Sequence, residues 1–175
     1  MSKPLVSVVI PVYREGEILS ETIESVLVQT FRDFEIVIVN NNADDVSLAI
    51  IRKYASEYPD LIRIVDQSVQ GAPSARNKGI LESRGHYIAM LEGDDMMLPN
   101  RLEKQLKYFE EEKDGFLLLS SYFDRVDWEN KTLLNPGGID KNFWMSSLKI
   151  DKIFGSHPST WFFEKNTSVS VGMFV

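Results

Sequence analysis

The sequence predicts an α/β protein, with a mostly parallel sheet and helices on both of its faces. Short β-branched runs alternate with amphipathic runs of helical spacing four times over, as in parallel strands joined by helical crossovers. At 175 residues, 43% of them apolar, the chain is long enough for one domain with a sizeable core. We find no internal repeat, linker or low-complexity tract that would divide it.

The first predicted strands and helices lie within residues 5–65. Each strand is a short run rich in Val and Ile that ends at proline or at a polar residue, as buried parallel strands do. Each helix carries apolar residues at helical spacing along one side. The strands are Leu5–Ile10, Phe34–Val39 and Leu61–Val65, and the helices are Gly16–Thr30 and Val46–Tyr58.

The alternation continues with two more helices and a strand between them. The polar stretch Asp66–Asn77 leads into a helix ending at Gly85, a residue suited to the left-handed conformation past a helix end. A strand over His86–Leu91 follows. The next helix is expected from Pro99, which a first helical turn tolerates, to about Lys113.

The last third of the chain is less regular. Residues 116–126 predict extended chain, and the Asn-Pro-Gly-Gly run at residues 135–138 predicts a turn. We expect this part to extend the same domain.

Charge and composition exclude several classes of function. The net charge is −7, with a pI near 4.9, which is the wrong sign for a nucleic-acid surface. The absence of cysteine excludes disulfides, thiolate nucleophiles, zinc fingers and iron–sulfur sites. Because no apolar run approaches the ~20 residues of a spanning helix and no secretory signal is recognisable, we expect a cytoplasmic protein, with the inner membrane face as a second candidate location.

Polar loops follow the predicted strands at their carboxyl ends, where ligands bind in open α/β sheets. These loops are Pro11–Tyr13, Asn40–Asp45, Gln70–Asn77 and Glu92–Asp95. None contains Gly-x-Gly-x-x-Gly or Gly-x-x-x-x-Gly-Lys, which disfavours a dinucleotide site and a P-loop.

The acidic loop Glu92–Asp95 gives the strongest local signal. Its three carboxylates repel one another, so a site that keeps them together favours a cation, and oxygen ligands suit Mg²⁺ or Mn²⁺. Gly93 would let a diphosphate approach closely. The alternative is that Asp95 caps the helix expected near Pro99 and the other carboxylates are solvated.

Several motifs occur together in a fixed order. They are Val6–Tyr13, Thr22–Phe31, Asp33–Val39, Ala75–Ile80 and Gly85–Asp95, followed more loosely by Ser156–Phe163 and Val171–Phe174. In order and spacing they resemble a family 2 glycosyltransferase with the Rossmann-like GT-A fold. The resemblance implies a single domain over residues 1–175, with a nucleotide-sugar donor half at 1–114 and a partial acceptor half at 115–175.

The resemblance also implies a reaction and roles for individual residues. A glycosyltransferase of hexosyltransferase type would move a sugar from a UDP-sugar, with inversion, to a glycan, lipid-linked or protein acceptor, using Mn²⁺ or Mg²⁺. Asn40 stands where the family has an aspartate that bonds the uracil imide, so Asn40→Asp is expected to tighten UDP binding. The implied donor-binding residues are Pro11, Tyr13, Asn40, Asn41, Arg76, Glu92 and Gly93, the metal ligand is Asp94, and further candidates are Glu15, Asp95 and His157.

The family's proton-accepting carboxylate would lie beyond Val175. We therefore expect residues 1–175 to bind donor but to transfer sugar poorly. We also expect an exposed aromatic patch at Trp161–Phe163, which a weak homodimer would cover. One alternative is a non-catalytic nucleotide-sugar-binding module, indicated by the Asn40–Asn42 run. Another, ranked last, is a sugar-phosphate nucleotidyltransferase, whose Gly-rich loop is missing from Val9–Arg14.

Overall fold

A six-stranded sheet organises the computed structural model, which describes residues 3–111, 118–121, 123–126, 133–137, 157–170 and 173–174. The described strands are β1 (Val6–Val12), β2 (Phe34–Asn40), β3 (Ile62–Asp66), β4 (Tyr87–Met90), β5 (Leu119–Ser120), β6 (Phe123–Val126), β7 (Leu133–Gly137) and β8 (Trp161–Glu164). The described α-helices are α1 (Ile18–Leu27), α2 (Asp45–Glu57), α3 (Ala72–Glu82), α4 (Arg101–Glu111) and α5 (Lys165–Ser170), and a 3-10 helix covers Pro158–Thr160.

The strand order in the main sheet is β3-β2-β1-β4-β8-β5. The first four strands of this order run parallel, and Val6 pairs with Phe34 on one side and with Tyr87 on the other. β8 is antiparallel to both β4 and β5. The predicted mostly parallel α/β sheet is therefore confirmed.

Each face of the sheet buries its own set of apolar side chains. Along β1, Val6, Val8 and Ile10 belong to one cluster and Val9 to the other, as the alternation of a strand requires. Helices α1, α2 and α4 cover the first face, and α3 covers the second. The prediction of helices on both faces is confirmed.

Glycine lets α3 lie unusually close to the sheet. A Cβ on Gly79 would come within 2.3 Å of Val9 Cγ1 and within 2.9 Å of Val39 Cγ2. The same closeness explains Gly85, where a Cβ would lie 2.6 Å from the Ser7 backbone nitrogen. The sequence argument for Gly85 is thus wrong: α3 ends at Glu82, and Gly85 is not among the described glycines with positive φ.

Two further sequence predictions change. The prediction of a turn at residues 135–138 is wrong for residues 135–137, because β7 continues to Gly137 and pairs with β6. A two-stranded sheet tolerates proline at position 136, since each strand has a free edge. The polar stretch after β3 already becomes helical at Ala72. Gly138 and the predicted end of a helix at Lys113 lie outside the described residues.

No helix within the described ranges is both long and apolar enough to cross a bilayer.

The prediction of an exposed aromatic patch at Trp161–Phe163 is wrong for two of its three residues. Phe162 and Phe163 are 0% and 3% exposed, because one packs on each face of the sheet.

Candidate functional site

The loops at the carboxyl ends of β1 and β4 pack directly against each other. The Glu15 carboxylate accepts a hydrogen bond from the Tyr13 backbone N–H at 2.7 Å. A Cβ on Gly93 would lie 2.8 Å from Glu15 Cγ and 3.2 Å from the Pro11 carbonyl oxygen. Glu15 and Pro11 therefore fill the space that a side chain at position 93 would need. This packing explains why the position is glycine, and the sequence did not indicate it.

Glu15 is a carboxylate of this site whose pKa is shifted by its surroundings. Burial raises the pKa of Glu15 above its usual value, and the negative charges of Asp94 and Asp44 raise it further. The backbone N–H of Tyr13 opposes the rise. Glu15 thus belongs to the wall of the site, between the β1 loop and the acidic loop.

The three carboxylates of the acidic loop have different surroundings. Glu92 Oε1 accepts from Arg76 Nε at 2.9 Å, and the two side chains are only 19% and 16% exposed. Asp95 Oδ2 accepts from the Ser159 hydroxyl and lies 3.3 Å from His157 Nδ1. The structure therefore brings His157 to the acidic loop through Asp95.

The capping alternative for Asp95 is wrong. α4 begins only at Arg101, and the Asp95 carboxylate is bound to the segment before β8 instead. Ser159 strengthens this link, because its hydroxyl also accepts from the Glu92 backbone N–H at 2.8 Å.

Asp94 is exposed, and its carboxylate makes no hydrogen bond or ion pair to any residue that the structure describes. The described ranges also contain no group of three or more acidic, His or Cys side chains that could hold a metal alone. Mg²⁺ is usually bound by one or two carboxylates together with substrate phosphates and water. One free carboxylate at a ligand-binding edge fits a cation of that kind.

Asn41 holds the loop between β3 and α3. Its Nδ2 donates to the carbonyls of Gln67 and Val69 at 2.7 and 2.8 Å, and its Oδ1 accepts from the Gly71 N–H at 2.9 Å. The side chain is buried, at 3% exposure. Its polar atoms are thus used within the protein, which gives Asn41 a positioning role beside the site.

Asn40, at the end of β2, lies against the end of β3. Its Nδ2 donates to Asp66 Oδ1 at 2.8 Å, and its Oδ1 accepts from the Ala43 N–H at 3.0 Å. Asp66 is exposed. Sequence reasoning missed Asp66, although the rule that selected Asn40, a polar residue directly after a parallel strand, also applies to it.

Tyr13 and Arg76 are held at the same edge of the sheet. The Tyr13 carbonyl accepts from the Asp44 N–H at 3.0 Å, and the Arg14 guanidinium lies 4.9 Å from the centroid of the Tyr13 ring. Arg76 lies 5.6 Å from the centroid of the Phe174 ring. Phe174 is a second residue of the site that the sequence argument did not select.

Comparison with known proteins identifies the relatives of this chain. The family described as glycosyl transferase family 2 matches residues 7–166. An uncharacterised glycosyltransferase of Methanocaldococcus jannaschii is 39% identical over 178 residues, which cover 100% of this chain and 57% of that protein. Glycosyltransferase GlyG of Streptococcus pneumoniae is 28% identical over 166 residues, covering 94% and 54%. This chain therefore spans little more than half the length of these two relatives.

Solved structures share the fold at low identity. Mannosyltransferase PcManGT from Pyrobaculum calidifontis, in complex with GDP-Man and Mn²⁺, has a TM-score of 0.72 at 16% identity, over 100% of this chain and 48% of that one. Residues 1–349 of S. aureus TarS, in complex with UDP-GlcNAc, have a TM-score of 0.68 at 17% identity, over 97% and 48%. The expected GT-A fold is confirmed. Since the family match extends over most of its length, this chain belongs to glycosyl transferase family 2.

Proposed function

We propose that this chain is the donor-binding part of an inverting glycosyltransferase of hexosyltransferase type that uses a UDP-sugar. The observation that carries the proposal is the exposed Asp94 carboxylate next to the half-buried Arg76–Glu92 pair. A guanidinium and a carboxylate at one sheet edge suit a diphosphate and its cation. The complexes of PcManGT with GDP-Man and Mn²⁺ and of TarS with UDP-GlcNAc support this reading of the site.

The nucleoside would lie at the ends of β1, β2 and β3. Tyr13, half-buried beside the Asn40 loop, offers an aromatic ring on which a base can stack. Asn40 and Asp66 together present an amide and a carboxylate, which can accept a hydrogen bond from the imide N–H of uracil. A charged acceptor is the stronger of the two, so Asp66 is the better partner for this N–H.

The diphosphate would lie between Arg76 and the acidic loop. Arg76 binds phosphate oxygens, and Asp94 holds Mn²⁺ or Mg²⁺. When bound, the cation stabilises negative charge that develops on the departing nucleoside diphosphate. Glu92 keeps the Arg76 side chain in place through their 2.9 Å ion pair.

The proton acceptor is not assigned to a described residue. From the family resemblance we expect this carboxylate after the Val171–Phe174 segment, in which Phe174 lies beside Arg76. The identity of the acceptor and the cellular location stay predictions of the sequence. A non-catalytic binding module becomes the weaker alternative, since Asp66 supplies a carboxylate next to Asn40 at the same sheet edge.

Titration calorimetry with UDP, GDP and dTDP, each in Mn²⁺ and in EDTA, tests the proposal. We expect UDP to bind most tightly and Mn²⁺ to increase its affinity about tenfold or more, equivalent to about 1.4 kcal/mol. Asp94→Ala should remove most of this gain and leave the unfolding temperature nearly unchanged, because Asp94 is exposed.

Asp60→Ala is the matched control, since Asp60 is also an exposed carboxylate but lies in the turn before β3. It should keep the full effect of Mn²⁺. Equal UDP affinity in Mn²⁺ and in EDTA would contradict a metal-dependent site. Tighter binding of GDP than of UDP would contradict the assignment of a UDP-sugar as the donor.

A further inference from the structure

The side chain of Asn77 pairs with the backbone of Phe174. Asn77 Nδ2 donates to the Phe174 carbonyl at 2.7 Å, and Asn77 Oδ1 accepts from the Phe174 N–H at 2.9 Å. An amide side chain that donates to and accepts from one residue occupies both backbone groups of that residue, as a neighbouring strand would. This contact joins α3 to a segment 97 residues further along the chain.

The Phe174 ring is fixed on two sides. It stacks on Trp161 with the ring centroids 5.4 Å apart and an angle of 2° between the planes. The Arg76 guanidinium lies over it at 5.6 Å from the centroid. Arg76 is thus held between the Phe174 ring and the Glu92 carboxylate, and Asn77 holds the backbone that carries the ring.

This arrangement matters for binding because an arginine side chain is flexible when nothing restrains it. Ordering it on binding lowers affinity, whereas a guanidinium that is already held avoids this loss. Arg76 uses Nε for Glu92, and its Nη groups make no hydrogen bond to the residues that the structure describes. These groups can therefore contact phosphate oxygens while the side chain stays in place.

We propose that Asn77 is a positioning residue for diphosphate binding, which acts through Phe174 on the Arg76 guanidinium. The proposal rests on the proposed function, in which Arg76 contacts the diphosphate. It differs from a purely structural role for Asn77 because it predicts that the effect of Asn77 on affinity depends on Arg76. Asn77 itself does not touch the nucleotide.

A double-mutant cycle on the 175-residue chain tests this dependence, with UDP affinity in Mn²⁺ measured by calorimetry. Asn77→Ala should weaken UDP binding about fivefold. In the Arg76→Ala background, the same change should weaken it less than twofold further. Asn166→Ala is the matched control: Asn166 is exposed on α5 and lies near Lys3 and His86, away from the acidic loop. This variant should bind UDP as the unmodified chain does.

Phe174→Leu enters the same cycle if Asn77→Ala does not fold, because it keeps both backbone hydrogen bonds and removes the ring beneath Arg76. It should weaken UDP binding about twofold to threefold, again only when Arg76 is present. Equal losses with and without Arg76, or no loss in either background, would overturn the positioning role. Failure of the unmodified chain to bind UDP, GDP or dTDP would instead contradict the proposed function, on which this inference rests.

Discussion

At the ends of β2 and β3, the amide of Asn40 and the carboxylate of Asp66 form one hydrogen-bonded pair of 2.8 Å. The sequence alone predicts that an aspartate at position 40 tightens UDP binding. The structure changes this expectation, because the new carboxylate would lie at hydrogen-bond distance from Asp66. Two like charges so close repel each other. We therefore expect the pair to bind UDP best when one of its side chains is a carboxylate and the other is a neutral amide.

Exchanging the two side chains tests this pair. We predict that Asn40→Asp binds UDP about threefold more weakly than the unmodified chain, since repulsion displaces both carboxylates. The exchange variant Asn40→Asp with Asp66→Asn should return to within about twofold, because one amide again faces one carboxylate. Calorimetry with UDP measures both. Tighter binding by Asn40→Asp alone would show that Asp66 does not share the site.

The sequence predicts the position of the candidate site but not the contacts of every residue in it. Its position follows from a general rule for parallel sheets, so Pro11, Asn40 and the acidic loop could be placed at one edge. Asn41 was expected to bind the nucleotide, yet its partners Gln67, Val69 and Gly71 lie 26 to 30 residues away in sequence. Contacts that distant form no local pattern, and the same is true of Asn77 and Phe174.

At the scale of helices, α1 and α2 are joined by a hydrogen bond from the Tyr54 hydroxyl to Glu24 Oε1 at 2.6 Å. Tyr54 is 4% exposed and packs in the same cluster as Ile23 and Val26 of α1. Burial, together with the Glu24 carboxylate, raises the pKa of Tyr54 to about 12. The neutral phenol is therefore favoured in the folded protein.

Tyr54→Phe tests this link. Removing the hydroxyl should lower the free energy of unfolding by about 1 kcal/mol at pH 7. Because the folded pKa is raised from 10.0, the stabilisation is complete below pH 10 and is lost as the pH rises towards 12. Urea unfolding at pH 7 and at pH 11 should show a smaller difference between the two proteins at the higher pH.

Tyr58→Phe is the control, since Tyr58 is 40% exposed at the end of α2. It should change stability by less than about 0.5 kcal/mol at either pH. A Tyr54→Phe difference that grows from pH 7 to pH 11 would contradict the assigned cause of the raised pKa.

The elements themselves differ in how well the sequence predicts them. β1 and β2 were predicted to within two residues at each end, because both of their faces are buried and each contains a run of Val and Ile, Val8–Ile10 and Ile36–Val39. The start of α3 at Ala72 was missed, since its first turn contains proline and serine, which are also typical of turns. β7 was missed because pairing with β6, rather than local turn residues, fixes its conformation.

At the scale of the whole molecule, the two predicted halves, residues 1–114 and 115–175, contribute strands to one sheet. β8, from the second of them, lies between β4 and β5, and Ala89 of β4 pairs with Phe162 of β8. The Phe162 ring stacks on Tyr87 at 5.4 Å and contacts Phe109 edge-on at 5.8 Å. Residues from both predicted halves therefore belong to one core that stabilises the fold.

Phe162→Ala tests whether the core is shared. The ring is fully buried among side chains from β4 and α4, so its removal leaves a cavity in the middle of the sheet. We expect urea unfolding to show a loss of about 3–5 kcal/mol in the free energy of unfolding.

Tyr108→Ala is the control, at a position on α4 that is 41% exposed, and it should lower the free energy of unfolding by less than about 1 kcal/mol. A comparably small loss for Phe162→Ala would mean that β8 is not part of the folded core and that residues 3–111 are stable without it. The expected loss would mean that packing of β8 also stabilises β4, and the acidic loop that contains Asp94 follows β4 after Leu91.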